Sequence, residues 1–130
     1  MIVLDASVVI EVLLQTDDGV AITDRLLSAA DTLHAPHLID VEVAQVLRRY
    51  VARGELEAAR AKQALDVLSV FPLARYGHEP LLDRIWALRD NLTAYDAAYV
   101  ALADGLRATL LTRDRRLASA ARMAGVVEVV

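Results

Sequence analysis

Cysteine is absent from this chain of 130 residues. That excludes disulfides and thiolate metal sites, and it agrees with a reducing compartment. Lysine is nearly absent too: Lys62 is the one Lys among 14 basic residues, the rest being Arg. Hydrophobic residues make up 56% of the chain and mean hydropathy is +0.37, yet no apolar run approaches the roughly 20 residues needed to span a bilayer. No membrane role is expected. The apolar excess is mostly Ala and Val, which suits a packed core plus an apolar surface for a partner. The opening MIVLDASVVIEVLL has no basic n-region and carries Asp5 and Glu11 inside its apolar stretch. It reads as structure rather than a signal peptide, so a cytoplasmic location is expected. The three histidines, His34, His37 and His78, share no metal-binding spacing. Repeats, low-complexity tracts and linkers are missing, which leaves a single domain over residues 1–130.

Net charge is −4 and the sequence pI is near 5.3, so bulk attraction to nucleic acid is not evident. Arg nevertheless offers a planar fork for phosphate, and local Arg clusters can hold a polyanion beside an acidic site. A GC-rich genome would produce the same Ala and Arg bias.

What is present is an alternation of helical patterns with short apolar runs. Met1 to Leu4 reads as a buried strand ending on Asp5, followed by a helix over Val8 to Leu14. After a polar turn at Gln15 to Gly19, a second helix is expected over Val20 to Ala30, with Ile22, Leu26, Leu27 and Ala30 inward. Leu33 to Pro36 reads as a strand. Asp40 is the expected cap of a long amphipathic helix reaching Ala52, with Glu42 in its first turn and Gly54 closing it. Glu55 to Val70 forms a further helix and completes an αα-hairpin. Phe71 to Ala74 reads as a strand or extended link, and Tyr76 to Pro80 starts a helix with Leu81, Leu82, Ile85, Trp86 and Leu88 as its apolar positions. Thr93 caps a helix over about 94–104 with Gly105 at its end, Ala108 to Thr112 is a buried strand, and Arg113 to Met123 is helical again. Val126 to Val130 is a last strand. The pattern is α/β: a mainly parallel, doubly wound sheet of about five strands flanked by helices, with the αα-hairpin inserted.

Asp5 and Asp114 both follow expected strands, while Glu42 and Asp96 both lie in first helical turns. All four can therefore face the carboxyl edge of the sheet, where open α/β sheets place their ligands. Each acid also has an ordinary reading as a helix cap or dipole partner. Together, four carboxylates repel one another unless a cation neutralises them, and oxygen-only ligation suits Mg²⁺ or Mn²⁺ rather than Zn²⁺. Such a cation supports water activation and charge stabilisation at a phosphoryl centre. Thr112 and Ser7 are placed to hydrogen-bond a carboxylate or water there.

VLDASV, the acid in LIDVEVAQVLRR, LTAYDAAYVALA and LLTRDRRLA stand in the order and spacing of a known family. The sequence resembles the PIN-domain ribonucleases, and specifically the VapC toxins of bacterial toxin–antitoxin pairs, over nearly its whole length. The resemblance implies that Asp5, Glu42, Asp96 and Asp114 are catalytic and bind Mg²⁺ or Mn²⁺, with Ser7 and Thr112 in support. It implies endonucleolytic cleavage of RNA, often tRNA or ribosomal RNA, that arrests translation. The partners it implies are a cognate antitoxin, whose C-terminal segment enters the acidic groove, and a second copy in a homodimer or a larger hetero-oligomer. Arg113, Arg115 and Arg116 beside Asp114 are candidate RNA contacts, equally readable as an exposed helical face.

A receiver-type signalling domain would need a late Lys, and Lys62 lies mid-chain in a helix. A metal-dependent phosphatase usually carries a second acid two residues after its nucleophilic Asp, where this chain has Ser7. A non-catalytic binding module on the same fold would not need all four acids.

Overall fold

The computed structural model describes residues 1–121 and 127–130. Strands β1 (Ile2–Leu4), β2 (Leu33–Pro36), β3 (Leu73–Tyr76), β4 (Thr109–Thr112) and β5 (Val127–Val129) form one parallel sheet in the order β3-β2-β1-β4-β5. Helices α1 (Ala6–Leu14) and α2 (Asp17–Ala29) link β1 to β2. Helices α3 (Leu38–Ala52) and α4 (Ala58–Val70) pack together as the hairpin between β2 and β3. A 3₁₀ turn (Glu79–Leu81), α5 (Leu82–Ala87) and α6 (Ala94–Leu106) carry the chain back to β4, and α7 (Arg115–Ala121) follows β4.

Strand β1 is central because it is apolar throughout and buried on both faces, as parallel strands between helical layers must be. Its register pairs Ile2 with Leu33 on one side and with Thr109 on the other, and Leu4 with Leu111. The ladder continues one step, with the Asp5 amide donating to the Leu111 carbonyl at 3.0 Å. Leu4, Leu110, Leu111, Ile39, Leu47 and Leu117 are among the fully buried core residues. In such packing a Leu-to-Ala truncation costs about 2–5 kcal/mol. The chain moves outward from β1 through β2 to β3, then returns to lay β4 against β1. The β1/β4 junction is therefore the topological switch point, with its crevice at the carboxyl ends.

Several local expectations are corrected. Helix α3 begins at Leu38, not Asp40. His78 supplies an acceptor at its N-terminus, where the imidazole Nε2 takes the Leu38 amide at 3.0 Å. Asp40 instead forms a forked ion pair with Arg75 of β3, at 2.8–3.0 Å. The earlier start puts Glu42 in the second turn of α3. Helix α6 runs past Gly105 to Leu106, and Arg107 takes the left-handed conformation that ends it (φ 51°). Gly54, with φ 74°, does follow α3 as expected. Strand β3 extends through Tyr76, so the next helical segment starts at Glu79 rather than Tyr76. Leu27 (75% exposed) and Trp86 (68%) face outward, because α2 buries only its Ile22 and Leu26 side and α5 is too short to bury both faces. Of the expected helix 113–123 and strand 126–130, residues 122–126 lie outside the described residues.

Candidate active site

The carboxyl edge of β1 and β4 brings three helix N-termini together, and an acid stands at each. Asp5 caps α1, its Oδ1 accepting the Ala6 amide at 2.8 Å. Asp114 caps α7, its Oδ1 accepting the Arg116 and Leu117 amides at 2.9 and 3.1 Å. Asp96 lies in the first turn of α6, and its amide is held by the Thr93 hydroxyl at 3.1 Å. Each helix end presents first-turn amides that have no partner within the helix and a positive dipole end, which favours an anion. The capping reading and the site reading are thus the same structure. Glu42 arrives from α3, one stripe with Val46 and Arg49 at spacings of four and three, all three lining one cleft.

Asp5 is 6% exposed and is held by a directed network. The hydroxyls of Ser7 and Thr112 both donate to its Oδ2 at 2.7 Å. Each hydroxyl also accepts a backbone amide, Ser7 from Arg113 and Thr112 from Asp114, both at 3.0 Å. Each has one proton to give, so the network has a single polarity and every donor aims at Asp5. Three of the four lone-pair sites on that carboxylate are occupied, and the spare one is on Oδ1.

Asp5, Glu42, Asp96 and Asp114 all line one cleft of about 350 Å³, together with Ser7 and Arg113. Burial, reinforced by their proximity, raises the proton affinity of the three most confined acids. Burial pushes the Asp5 carboxyl up, against the pull of its hydrogen bonds, and Asp114 adds repulsion. Burial pushes Glu42 up to about 7, opposed by the Tyr99 hydroxyl and reinforced by Asp5 and Asp96. Asp96 is raised by burial, then by Asp5 and Asp114, with Arg116 acting the other way. Glu42 Oε1 and the Tyr99 hydroxyl are buried side by side, and neither reaches a hydrogen-bond partner among the described residues. Burial and the neighbouring acids raise the Tyr99 hydroxyl far above its ordinary range, so it stays protonated.

Among the described residues no three or more His, Asp or Glu side chains are gathered as a site that could hold a metal ion. The donor set nonetheless fits a hard divalent cation. It is all oxygen, it has an orphaned buried oxygen on Glu42, and Asp114 Oδ2 has no protein donor among the described residues. Mg²⁺ is usually held by one or two carboxylates and retains several waters, so an open set of this kind suffices.

The three candidate arginines separate. Arg113 is half-buried and pairs with Asp18 at 2.8 Å and Glu11 at 4.0 Å, so its charge is already compensated. Arg115 is exposed, and Arg116 lines a groove that adjoins the acids. Arg49, Tyr95 and Tyr99 were not singled out from sequence. The spacing of Arg49 from Glu42, seven residues along one helix, was the available signal. His34 is satisfied by the hydroxyls of Thr32 and Tyr76 at 2.8 and 2.7 Å, which leaves it no ligand role.

The PIN domain family model matches residues 2–123. VapC ribonuclease Mb0985 of Mycobacterium bovis is 45% identical over 130 residues, covering all of this chain and 98% of that one. Ribonuclease VapC1 of Mycobacterium tuberculosis is 43% identical over 119 residues, 91% of this chain and 89% of that one. Among solved structures, VapBC2 from Rickettsia felis bound to a promoter DNA fragment has the same fold, with a TM-score of 0.72 at 14% identity over 99% of this chain and 98% of that one. A five-stranded parallel sheet with acids gathered at its switch point, matched along its length by these relatives, places this chain in the PIN-domain family, among the VapC ribonucleases.

Proposed function

We propose that the protein is the ribonuclease toxin of a bacterial toxin–antitoxin pair and that Asp5, Glu42, Asp96 and Asp114 form its catalytic, metal-binding centre. The observation that carries this is the convergence of four carboxylates from four elements in one cleft at the β1/β4 switch point. The 45% identity to a ribonuclease over the whole chain supports the reaction class. The metal is Mg²⁺, with Mn²⁺ as a substitute, and when bound it supplies water activation and charge stabilisation at the scissile phosphate. Asp5, fixed by Ser7 and Thr112, and Asp114, fixed by the first turn of α7, would hold it on rigid elements. Glu42 and Asp96 complete the set and orient the attacking water in line with the leaving oxygen. Hydrolysis by water leaves 5′-phosphate and 3′-hydroxyl ends.

The substrate is an RNA of the translation machinery, the location the cytoplasm, and the partners a cognate antitoxin and a second copy of the chain. The VapBC2 assembly of the structural relative, described with its promoter DNA, supports an antitoxin partner. No helix among the described residues is long and apolar enough to cross a membrane.

Purified protein incubated with total cellular RNA in Mg²⁺ or Mn²⁺ tests the reading, beside an EDTA control and Asp96→Asn. Discrete fragments bearing 5′-phosphates, absent from both controls, are expected. Intact RNA with the wild type in both metals would move the phosphatase and binding-module readings up.

A further inference from the structure

The route by which an RNA strand reaches four acids on a chain of net charge −4 is set by the cations left uncompensated around them. Arg113 is tied to Asp18 and Glu11. Arg49 and Arg116 form no salt bridge among the described residues, although Arg116 lies near enough to Asp96 to favour its ionised form. They come from α3 and from the start of α7, and both line a groove of about 520 Å³ that shares Glu42, Val46, Arg49 and Asp96 with the acidic cleft. In the same groove lies Tyr95, 66% exposed, one residue before Asp96 in the first turn of α6. Tyr95 therefore occupies a rigid position, fixed by the Thr93 cap, with its ring turned to solvent.

We propose that this groove is the subsite for the single-stranded RNA segment adjoining the cut phosphate. Tyr95 is the platform on which one base stacks, and Arg49 and Arg116 take the phosphates on either side. The inference rests on the ribonuclease reading of the neighbouring acids. A solvent-facing aromatic ring beside free guanidinium groups is the combination that holds unpaired nucleotides, because every base has a stackable face and the backbone needs a positive track. A paired base keeps its faces inside the helix, so the groove selects single strands. It also places the phosphate chain beside the acids without relying on the overall charge. A docking protein would need a broad apolar face, whereas the apolar residues Leu38, Val41 and Val46 here are hemmed by two arginines and two acids.

The test is fluorescence anisotropy in EDTA, where nothing is cut, with a short labelled single-stranded RNA of mixed sequence and the same strand annealed into a duplex. The expected result is that the single strand binds more tightly than the duplex, Tyr95→Ala weakens it about tenfold, and Tyr95→Phe binds as wild type. Arg49→Ala weakens binding and lowers the slope of log affinity against log salt by about 0.7. Wild-type protein that does not bind the strand, or Tyr95→Ala and Arg49→Ala variants that bind it unchanged, overturns the inference. So does a Tyr95→Ala variant whose only change is a shift in oligomeric mass on a sizing column, which makes the groove a protein interface. Cleavage in Mg²⁺ is scored separately. Cleavage with unaltered binding in the variants sinks the groove alone, and variant-sensitive binding without any cleavage sinks the ribonuclease reading alone.

Discussion

The hydroxyl of Thr112 donates to Asp5 Oδ2 at 2.7 Å while accepting the Asp114 amide at 3.0 Å, so one side chain on β4 ties together the acids that end two neighbouring strands. Replacing Thr112 with Val keeps the shape and removes both bonds. A buried carboxylate loses one donor and an amide loses its acceptor, a loss of about 1–3 kcal/mol. Urea unfolding should show that destabilisation for Thr112→Val, together with reduced cleavage, while Thr112→Ser recovers much of both. An unchanged unfolding midpoint in Thr112→Val would remove the network from any role in holding Asp5.

Asp114 caps α7 and is proposed to hold the metal, two roles that substitution separates. Asn caps helices as well as Asp does, so Asp114→Asn should stay within about 0.5 kcal/mol of wild type, whereas Asp114→Ala should lose about 1 kcal/mol. Both should lose metal-dependent cleavage. Thermal unfolding and an RNA cleavage assay on the two variants read the duties independently.

Glu42 gives the protein a pH dependence. Its folded pKa of about 7 lies above the ordinary carboxylate value. The folded state therefore holds a proton that the unfolded state has released, and metal-free stability falls as pH rises from about 4.5 to about 7. Divalent-ion affinity should move the opposite way, rising over the same window as Glu42 ionises. Thermal midpoints in EDTA across pH 5–8 should decline, and Glu42→Gln should flatten the decline. A midpoint that climbs through this range in the wild type would contradict the burial of that carboxyl.

Metal removal should also be visible without RNA. The acids repel one another, so Mg²⁺ that binds only the folded chain raises the thermal midpoint in a concentration-dependent way. Asp96→Asn should raise the metal-free midpoint by relieving repulsion and shrink the Mg²⁺ response. Differential scanning calorimetry in EDTA and in graded Mg²⁺ supplies both numbers.

Gly19 tests the packing of α1 against α2. A Cβ there would lie 2.0 Å from the Glu11 carbonyl oxygen and 2.5 Å from its carbon. Because both are backbone atoms, Gly19→Ala should destabilise by about 2–3 kcal/mol or misfold, measured by urea unfolding.

Much of the site was readable because its residues obey local rules. Asp5 and Asp114 follow short apolar runs, and Thr93 with Asp96 forms a cap visible in the letters alone. The strand count and their parallel sense followed from helices alternating with those runs. What escaped depends on contacts between distant segments. His78 caps α3 from 40 residues away, and that displaced Asp40 from the role its residue type suggests. Gly105 looked like a helix end, but packing carries α6 on to Leu106 and forces Arg107 into the left-handed region instead. Arg113 looked like a free cation until Asp18, from the opposite end of the chain, was seen beside it.

The sheet order has a consequence for the biosynthesis of the protein. Strand β1 is the first segment of the chain, yet it sits at the centre, and its neighbour β4 spans Thr109–Thr112. Asp5 lacks its third donor until Thr112 reaches it, and the acidic edge is incomplete until Asp114 has been made. Pairings of such long sequence separation form late and slowly. A chain in which β4 has not yet paired with β1 therefore lacks the Thr112 donor to Asp5, and the acidic cleft comes together only with the sheet itself.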